Sequence, residues 1–402
     1  MSAARSGLLL LFPILLFPLQ GAAFEEPFPA KPISEAALTA FRLNQIEDSG
    51  WKEDGGWTGI ATPAARPLLA TFKRQLRELV GRELSGEAGS GTAEEIQAKL
   101  VSAMAREGVP MEGDDTDHPY GRVLELEVRR PAGLDRWLAV VVTQQIICGF
   151  DKALYVFERQ EGRWRLAFAL EANPDEEINA GMALLDFGIS QPDRHGGSFI
   201  VVADVNPQCV SNWRRIRYRV FRLEGDPLHP QPFFAGEGSV YQSDFDLEMG
   251  SDRFLVRFQG PQLLDYGILI RSHVRAYRIT GTKVERIGPL ADAARDFVDE
   301  WIHLPREIAG RWAAIPGWDS LRAWHYKLKG MLDDHERLSF TEFGPPGACG
   351  PFRFLVVLDL EWKTPSKSHP PEIFFSIRDQ GGDFEMERID VTEPEGCTRD
   401  DP

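Results

Sequence analysis

The sequence predicts a mainly β fold with helical additions, in which a four-stranded antiparallel meander is repeated in a propeller-like array. Three observations lead there. A strand–loop–strand–glycine pattern occurs four times at near-constant length. Short alternating runs flank each copy, and the amphipathic helical stretches fall outside the copies.

Each copy opens on an aromatic residue and closes on a glycine. Trp137 leads to Gly162, Phe199 to Gly225, Phe254 to Gly281 and Phe354 to Gly381, separations of 25, 26, 27 and 27 residues. The run before the glycine is strand-like, as in Tyr155-Val-Phe-Glu-Arg-Gln-Glu-Gly162 and Tyr218-Arg-Val-Phe-Arg-Leu-Glu-Gly225. A glycine suits the positive φ of a tight hairpin turn. Runs such as Arg163-Trp-Arg-Leu-Ala-Phe and Lys283-Val-Glu-Arg-Ile then predict a closing strand, with another expected at Phe233-Phe234. Leading strands are expected over 123–128, 183–188, 240–246 and 339–344. The copies start at 137, 199, 254 and 354, so the spacings are 62, 55 and 100, and the last gap has room for an insertion.

Residues 1–23 read as a signal peptide: Arg5 gives a positive start, Leu8–Leu19 is apolar, and Gly21-Ala22-Ala23 suits cleavage. The apolar run is too short to span a bilayer as a helix, and Pro13 and Pro18 weaken it further. No other run approaches that length. Stable membrane insertion is therefore not expected, and the mature chain is expected to be exported, to a periplasm or the extracellular space. Residues 24–110 form an N-terminal helical region with helices predicted at Ala36–Ile46, Ala64–Val80 and Ala93–Ala105. Thr92 with Glu95 has the spacing of a capping box, and Gly81–Thr92 reads as a flexible connection.

Residues 111–288 hold the first three copies, opened by the acidic loop Met111–Tyr120. Residues 289–335 form a helical insertion, with Leu290–Ile302 and Ser320–Met331 broken by Pro305 and Pro316-Gly317. Residues 336–402 hold the fourth copy and a tail. An insertion between repeats emerges on one face of an array, where binding surfaces are built.

A formal charge of −16 disfavours nucleic acid as a partner. The four cysteines, Cys148, Cys209, Cys349 and Cys397, predict two disulfides in an exported chain. Cys148 follows Trp137 by 11 residues and Cys209 follows Phe199 by 10, so both fall in the same loop of neighbouring copies. That favours Cys148–Cys209 and leaves Cys349–Cys397, for which the tail from Val391 must turn back.

No nucleophile elbow, zinc-binding HExxH, Walker loop or Rossmann glycine pattern is present. Weaker constellations remain. Asp186, Asp244 and Glu342 each precede a Phe in a leading strand. Leading strands line a propeller's centre, where such carboxylates could ring a metal ion or a basic group; as turn-flanking acids they would only face water. Arg215, Arg217 and Arg219 alternate on one strand face, an arrangement that grips phosphate or carboxylate or pairs with cross-strand acids. Trp312, Trp318 and Trp324, with Trp301 and Tyr326, give the insertion aromatic faces that stack on planar or sugar ligands or seal helices onto a sheet. His325 and His335, beside Asp333 and Asp334, stand too far apart for one metal without a chain reversal. Asp114, Asp115, Asp117 and His118 lack the spacing of an EF-hand loop.

Repeated loops and a channel without catalytic motifs point to an exported binding or scaffolding protein. Its partner would be a protein, glycan or small molecule, and no cofactor is assigned. The alternative is a secreted hydrolase whose acid and histidine meet only in three dimensions. A cleft holding a His against a carboxylate of shifted pKa would favour that alternative. At this level the chain is not decided as enzyme or non-enzyme.

Overall fold

The computed structural model describes residues 34–399, apart from 47–60, 87–88, 112–119, 148, 174–180, 194–195, 208–210, 243, 265–268, 316, 333–337, 365 and 367–368. Three helices lead: α1 (Glu35–Asn44), α2 (Ala65–Ser85) and α3 (Ala93–Arg106). The α2 stripe Leu69, Phe72, Leu76, Leu79 and Val80 is buried, as its three- and four-residue spacing requires. Thr92 Oγ1 accepts from the Glu95 amide while the Glu95 carboxylate accepts from the Thr92 amide, which completes the capping box of α3. The flexible connection expected from Gly81 starts later. Leu84, 1% exposed, continues the apolar stripe and carries α2 on to Ser85.

Three meanders follow. The first is β1 (Val123–Arg129), β2 (Trp137–Ile146), β3 (Gly149–Gln160) and β4 (Arg163–Leu170). The second is β5 (Ala183–Ile189), β6 (Phe199–Val205), β7 (Trp213–Arg222) and β8 (Pro232–Tyr241). The third is β9 (Phe245–Met249), β10 (Arg253–Pro261), β11 (Ile270–Thr280) and β12 (Lys283–Ile287). In each, spatial order follows chain order and the neighbours pair antiparallel.

The insertion contributes α4 (Ala294–His303), α5 (Arg306–Ala309), a 3₁₀ turn (Gly310–Trp312) and α6 (Trp318–Leu332). The fourth sheet is β13 (Leu338–Phe343), β14 (Gly347–Gly350), β15 (Arg353–Trp362), β16 (Glu372–Asp379), β17 (Phe384–Asp390) and β18 (Thr398–Arg399). β13 and β14 pair successive lengths of β15, so together they form one interrupted leading strand. β18 turns back onto β14 and brings Cys397 to Cys349; the two are bonded, with α-carbons 4.0 Å apart. Cys148 and Cys209 lie outside the described residues.

The repeat is visible in the register. Phe199, Phe254 and Phe354 stand opposite Arg222, Tyr277 and Ile377, the same offset in all three, and Trp137 stands opposite Glu158 at a slightly smaller one. The turn glycines 162, 225, 281 and 381 all have positive φ, at 79°, 126°, 63° and 76°. One boundary is corrected. Val240 and Tyr241 end β8 instead of opening the third copy, because Val240 is fully buried opposite Arg214 of β7. The leading strand of that copy starts at Phe245.

Alternation along the strands sets the layers. Leu138, Val140 and Val142 of β2 pack into one core with α1–α3, while Trp137, Ala139 and Val141 face a second core shared with Ile200 and Val202. Phe199, Val201 and Ala203 turn to a third core with Phe254, Val256 and Phe258. A fourth joins the insertion to Val356, Leu358, Ile373 and Phe375. The fold is thus mainly β, propeller-like in its repeated four-stranded sheets, with helical pieces in front and before the last copy. Among the described residues no helix is long and apolar enough to cross a membrane.

Candidate functional site

The sequence-derived candidates separate into three groups. Among the acids, Asp186 in β5 meets Arg129 at 3.2 Å and accepts from its neighbour's amide, while Asp244 and Glu342 are exposed. No group of three His, Cys, Asp or Glu side chains able to hold a metal occurs among the described residues. The carboxylate ring is therefore not assembled there. Asp186 follows a register shift in β5, Asp244 precedes β9, and Glu342 lies within β13, so the three do not share one register position.

Among the arginines, Arg215 pairs with Glu237, while Arg217 and Arg219 grip the fully buried Asp204 at 2.6 and 2.7 Å. Ile216, Tyr218 and Val220 point the other way into the core. The ladder is engaged by cross-strand acids. Asp114, Asp115, Asp117, His118, His335, Asp333 and Asp334 lie outside the described residues; His325 is buried against the edge of Trp301, ring centres 4.9 Å apart.

Two buried ionic clusters were not legible in the sequence. In the first, Lys73 of α2 lies 2.7 Å from Asp151 of β3, both almost fully buried. Asp151 also accepts from Gln144 at 2.8 Å and from the Met182 amide at 2.7 Å. Nearby, Tyr155 donates to Glu171 at 2.8 Å; burial pushes its phenol well up, with the Glu171 charge adding to the effect.

In the second, Asp299 of α4 accepts from the Leu263 and Leu264 amides at 2.9 Å each and from Arg271 Nε at 2.6 Å. Arg271 and Arg286 donate to the adjacent Glu300 at 2.8 and 3.1 Å. His273 Nδ1 lies 3.7 Å from the same carboxylate, its Nε2 is 2.9 Å from the Pro261 carbonyl oxygen, and its ring stacks on Phe258. This is a His against a carboxylate of shifted pKa. The side chains of His273 and Glu300 are only 2% and 6% exposed, however, so the contact locks two elements together and does not face a cleft.

The remaining candidate surface is on the insertion. Arg306 and Glu307 of α5, Gly310 and Arg311 of the 3₁₀ turn, and Trp318 and Arg322 of α6 line an open cavity of about 420 Å³. A Cβ on Gly310 would stand 2.9 Å from Trp318 Cζ2 and 3.0 Å from Cε2, so this close approach requires glycine. Trp318 and Trp324 are half-buried, while Trp312 belongs to the core at 9% exposure. The three arginines are exposed. Among the described residues Arg306 and Arg311 have no carboxylate at ion-pair distance, and Arg322 reaches Asp319 only at 3.8 Å. The sequence signal for them was the run 306–322, where three arginines surround Trp318.

Other clefts are more neutralised. Between α2 and α3 a cavity of about 740 Å³ has its Arg82 and Arg106 bound to Glu107 and Glu83. One of about 400 Å³ beside β9 holds Asp244 and Asp246, with Arg257 bound to Glu248.

No protein-family model and no curated protein matches the chain. Solved structures give distant likenesses. One is the GH93 α-L-arabinofuranosidase of Fusarium graminearum with arabinobiose, at TM-score 0.26 and 8% identity over 66% of each chain. Others are a GH43 β-1,3-galactosidase with galactodeoxynojirimycin (0.21, 9%, 70% of this chain and 81% of that one) and a polysaccharide lyase (0.24, 11%, 68% and 59%). This chain spans just under two thirds of the length of the arabinofuranosidase. At such TM-scores the likenesses decide neither topology nor activity; the fold rests on the strand order and register themselves.

Proposed function

We propose that this is an exported binding or scaffolding protein whose ligand face is the helical insertion before the last repeat. The observation that carries the reading is the open cleft at Trp318, where a half-buried indole and three exposed arginines converge on a surface held in shape by Gly310. An aromatic body with polar donors around it is recognition chemistry. The insertion supplies it from rigid ground, since Ala309, Trp312 and Leu321 anchor it in the core of the fourth sheet. The ligand would be a glycan, a small molecule or a segment of another protein.

The test is an unbiased glycan and small-molecule array with the exported chain, followed by Trp318→Phe and Arg322→Gln. Ligands that lose binding in both variants support the reading. Ligands indifferent to both variants place the site elsewhere, and turnover of a bound saccharide would replace the binding role with the hydrolase one.

A further inference from the structure

We infer that the Trp318 cleft takes an acidic saccharide, a ring compound carrying a carboxylate. The inference rests on the insertion being a ligand face and names the chemistry of what it binds. The first ground is charge. In a chain of net charge −16, arginines of the other clefts find an acid: Arg82 meets Glu107, Arg106 meets Glu83, and Arg257 meets Glu248. At the cleft three arginines face one lining acid, Glu307, and among the described residues Arg306 and Arg311 have no carboxylate at ion-pair distance. A guanidinium presents parallel N–H donors that match the two oxygens of a carboxylate. Arg311 acts on Glu285 through space, but neither it nor Arg306 has donors taken up by an ion pair among the described residues, so the two form an anion-recognising set.

The second ground is the indole. Trp318 lines the same cavity and stays half-buried, so part of its apolar surface is available to a ligand. Sugar rings carry apolar C–H faces that pack against aromatic surfaces. A bare inorganic anion would use the arginines alone, and a neutral sugar the indole alone. A ring bearing a fixed negative charge uses both. The cavity is open to solvent, so a ring can lie across it with its charged edge at the arginines.

The experiment titrates the exported chain calorimetrically with trigalacturonate, neutral galactotriose, glucose 6-phosphate and inorganic phosphate. Arg311→Gln, Arg322→Gln and Trp318→Phe are run in parallel, with folding checked by circular dichroism. The two arginines are exposed, so their variants disturb no core contact. Trigalacturonate is expected to bind, to weaken with added salt, and to lose about tenfold or more in each arginine variant. Galactotriose should bind at least about tenfold more weakly. Equal binding of the neutral and acidic trisaccharides would overturn the acidic inference while leaving the Trp318 face as a ligand site. Phosphate or glucose 6-phosphate binding as tightly as trigalacturonate would overturn the saccharide carboxylate. Trigalacturonate binding untouched by the arginine variants would move the site and overturn it, and so would no binding at all; the array then judges the broader ligand face separately.

Discussion

Replacing Asp299 by alanine tests whether the ionic cluster holds the insertion to the third sheet. The carboxylate accepts three hydrogen bonds of 2.9, 2.9 and 2.6 Å, from two backbone amides and from Arg271, and both charged side chains are 1% exposed. Its loss orphans the Leu263 and Leu264 amides and leaves a buried guanidinium with Glu300 as its remaining carboxylate partner. Breaking a buried pair costs about 3–5 kcal/mol, and each orphaned buried amide about 1–3 kcal/mol, the two being non-additive. Because Glu300 still neutralises Arg271, the total should fall near about 3–4 kcal/mol. Urea unfolding reads this as a lower midpoint at unchanged slope. The companion variant Arg271→Met with Asp299→Leu removes both charges, so it should cost about 1–3 kcal/mol less than the summed single changes. A loss under about 1 kcal/mol for Asp299→Ala, or strict additivity in the pair, would refute the lock.

Four further outcomes are expected. Cys349→Ser with Cys397→Ser opens a loop of 48 residues and should cost about 4 kcal/mol in the chain-entropy model, read as a shifted urea midpoint that disappears under reducing conditions. Burial alone would raise the Glu300 carboxyl, but His273, Arg286, Arg271 and Arg275 hold it well below its ordinary value of 4.5. The unfolded chain therefore binds the extra proton first, so stability should fall as pH drops through the window below 4.5 and stay level above it on this group's account, and Glu300→Gln should flatten that limb. Trp312→Ala should cost about 3–5 kcal/mol by thermal or urea unfolding, whereas Trp318→Phe should change ligand affinity more than stability; the reverse ranking would contradict the assignment of core and cleft. Peptide mapping without reduction should yield a fragment joining Cys148 to Cys209, and one joining either to Cys349 would break the neighbouring-copy register.

Much of the β architecture was readable because it rests on local signals. A period of two and a glycine at a fixed offset survive in the sequence whatever the tertiary setting, so Phe199, Phe254 and Phe354 reappear at the same register position. The helices were readable for the same reason, including the Thr92–Glu95 box. The misplaced opening of the third copy shows the limit. Val240 and Phe245 both look like strand residues, and only burial opposite Arg214 assigns the first to β8. The site was less legible. Arg217 and Arg219 look identical whether they await a phosphate or clamp Asp204, because the acid lies across a strand pair and not beside them in the chain. Lys73 and Asp151, 78 positions apart, carry no local mark of their partnership. The arginines around Trp318 did leave a mark, but their lack of nearby acids is a property of the surface alone.

The faces of the sheets explain why the insertion is joined by charge on one side and by packing on the other. β2 buries both faces, one under α1–α3 and one against the second sheet, so its residues form a nearly continuous apolar run. β10 differs: Phe254, Val256 and Phe258 face the second sheet, while Arg253, Leu255, Arg257 and Gln259 alternate with them. On the aromatic face, Gly260 stands opposite Arg271 and Tyr277 opposite Arg286, so the sheet presents guanidinium groups there, and the contact with α4 is made through Arg271, Arg286, Asp299 and Glu300. On its other side the insertion shares a core of Phe297, Trp301, Leu321 and Leu328 with Val356, Leu358 and Phe375, and the Ala314 amide donates to Met386 of β17 at 2.8 Å. Ionic joints are sensitive to acid, while apolar ones are not. The insertion should therefore part from the third sheet before it parts from the fourth. The residues lining the Trp318 cleft all come from the insertion, which keeps its packing on the fourth sheet, so Asp299→Ala should speed hydrogen exchange at β11 and the first turns of α4 while leaving affinity at the cleft within about twofold of the parent.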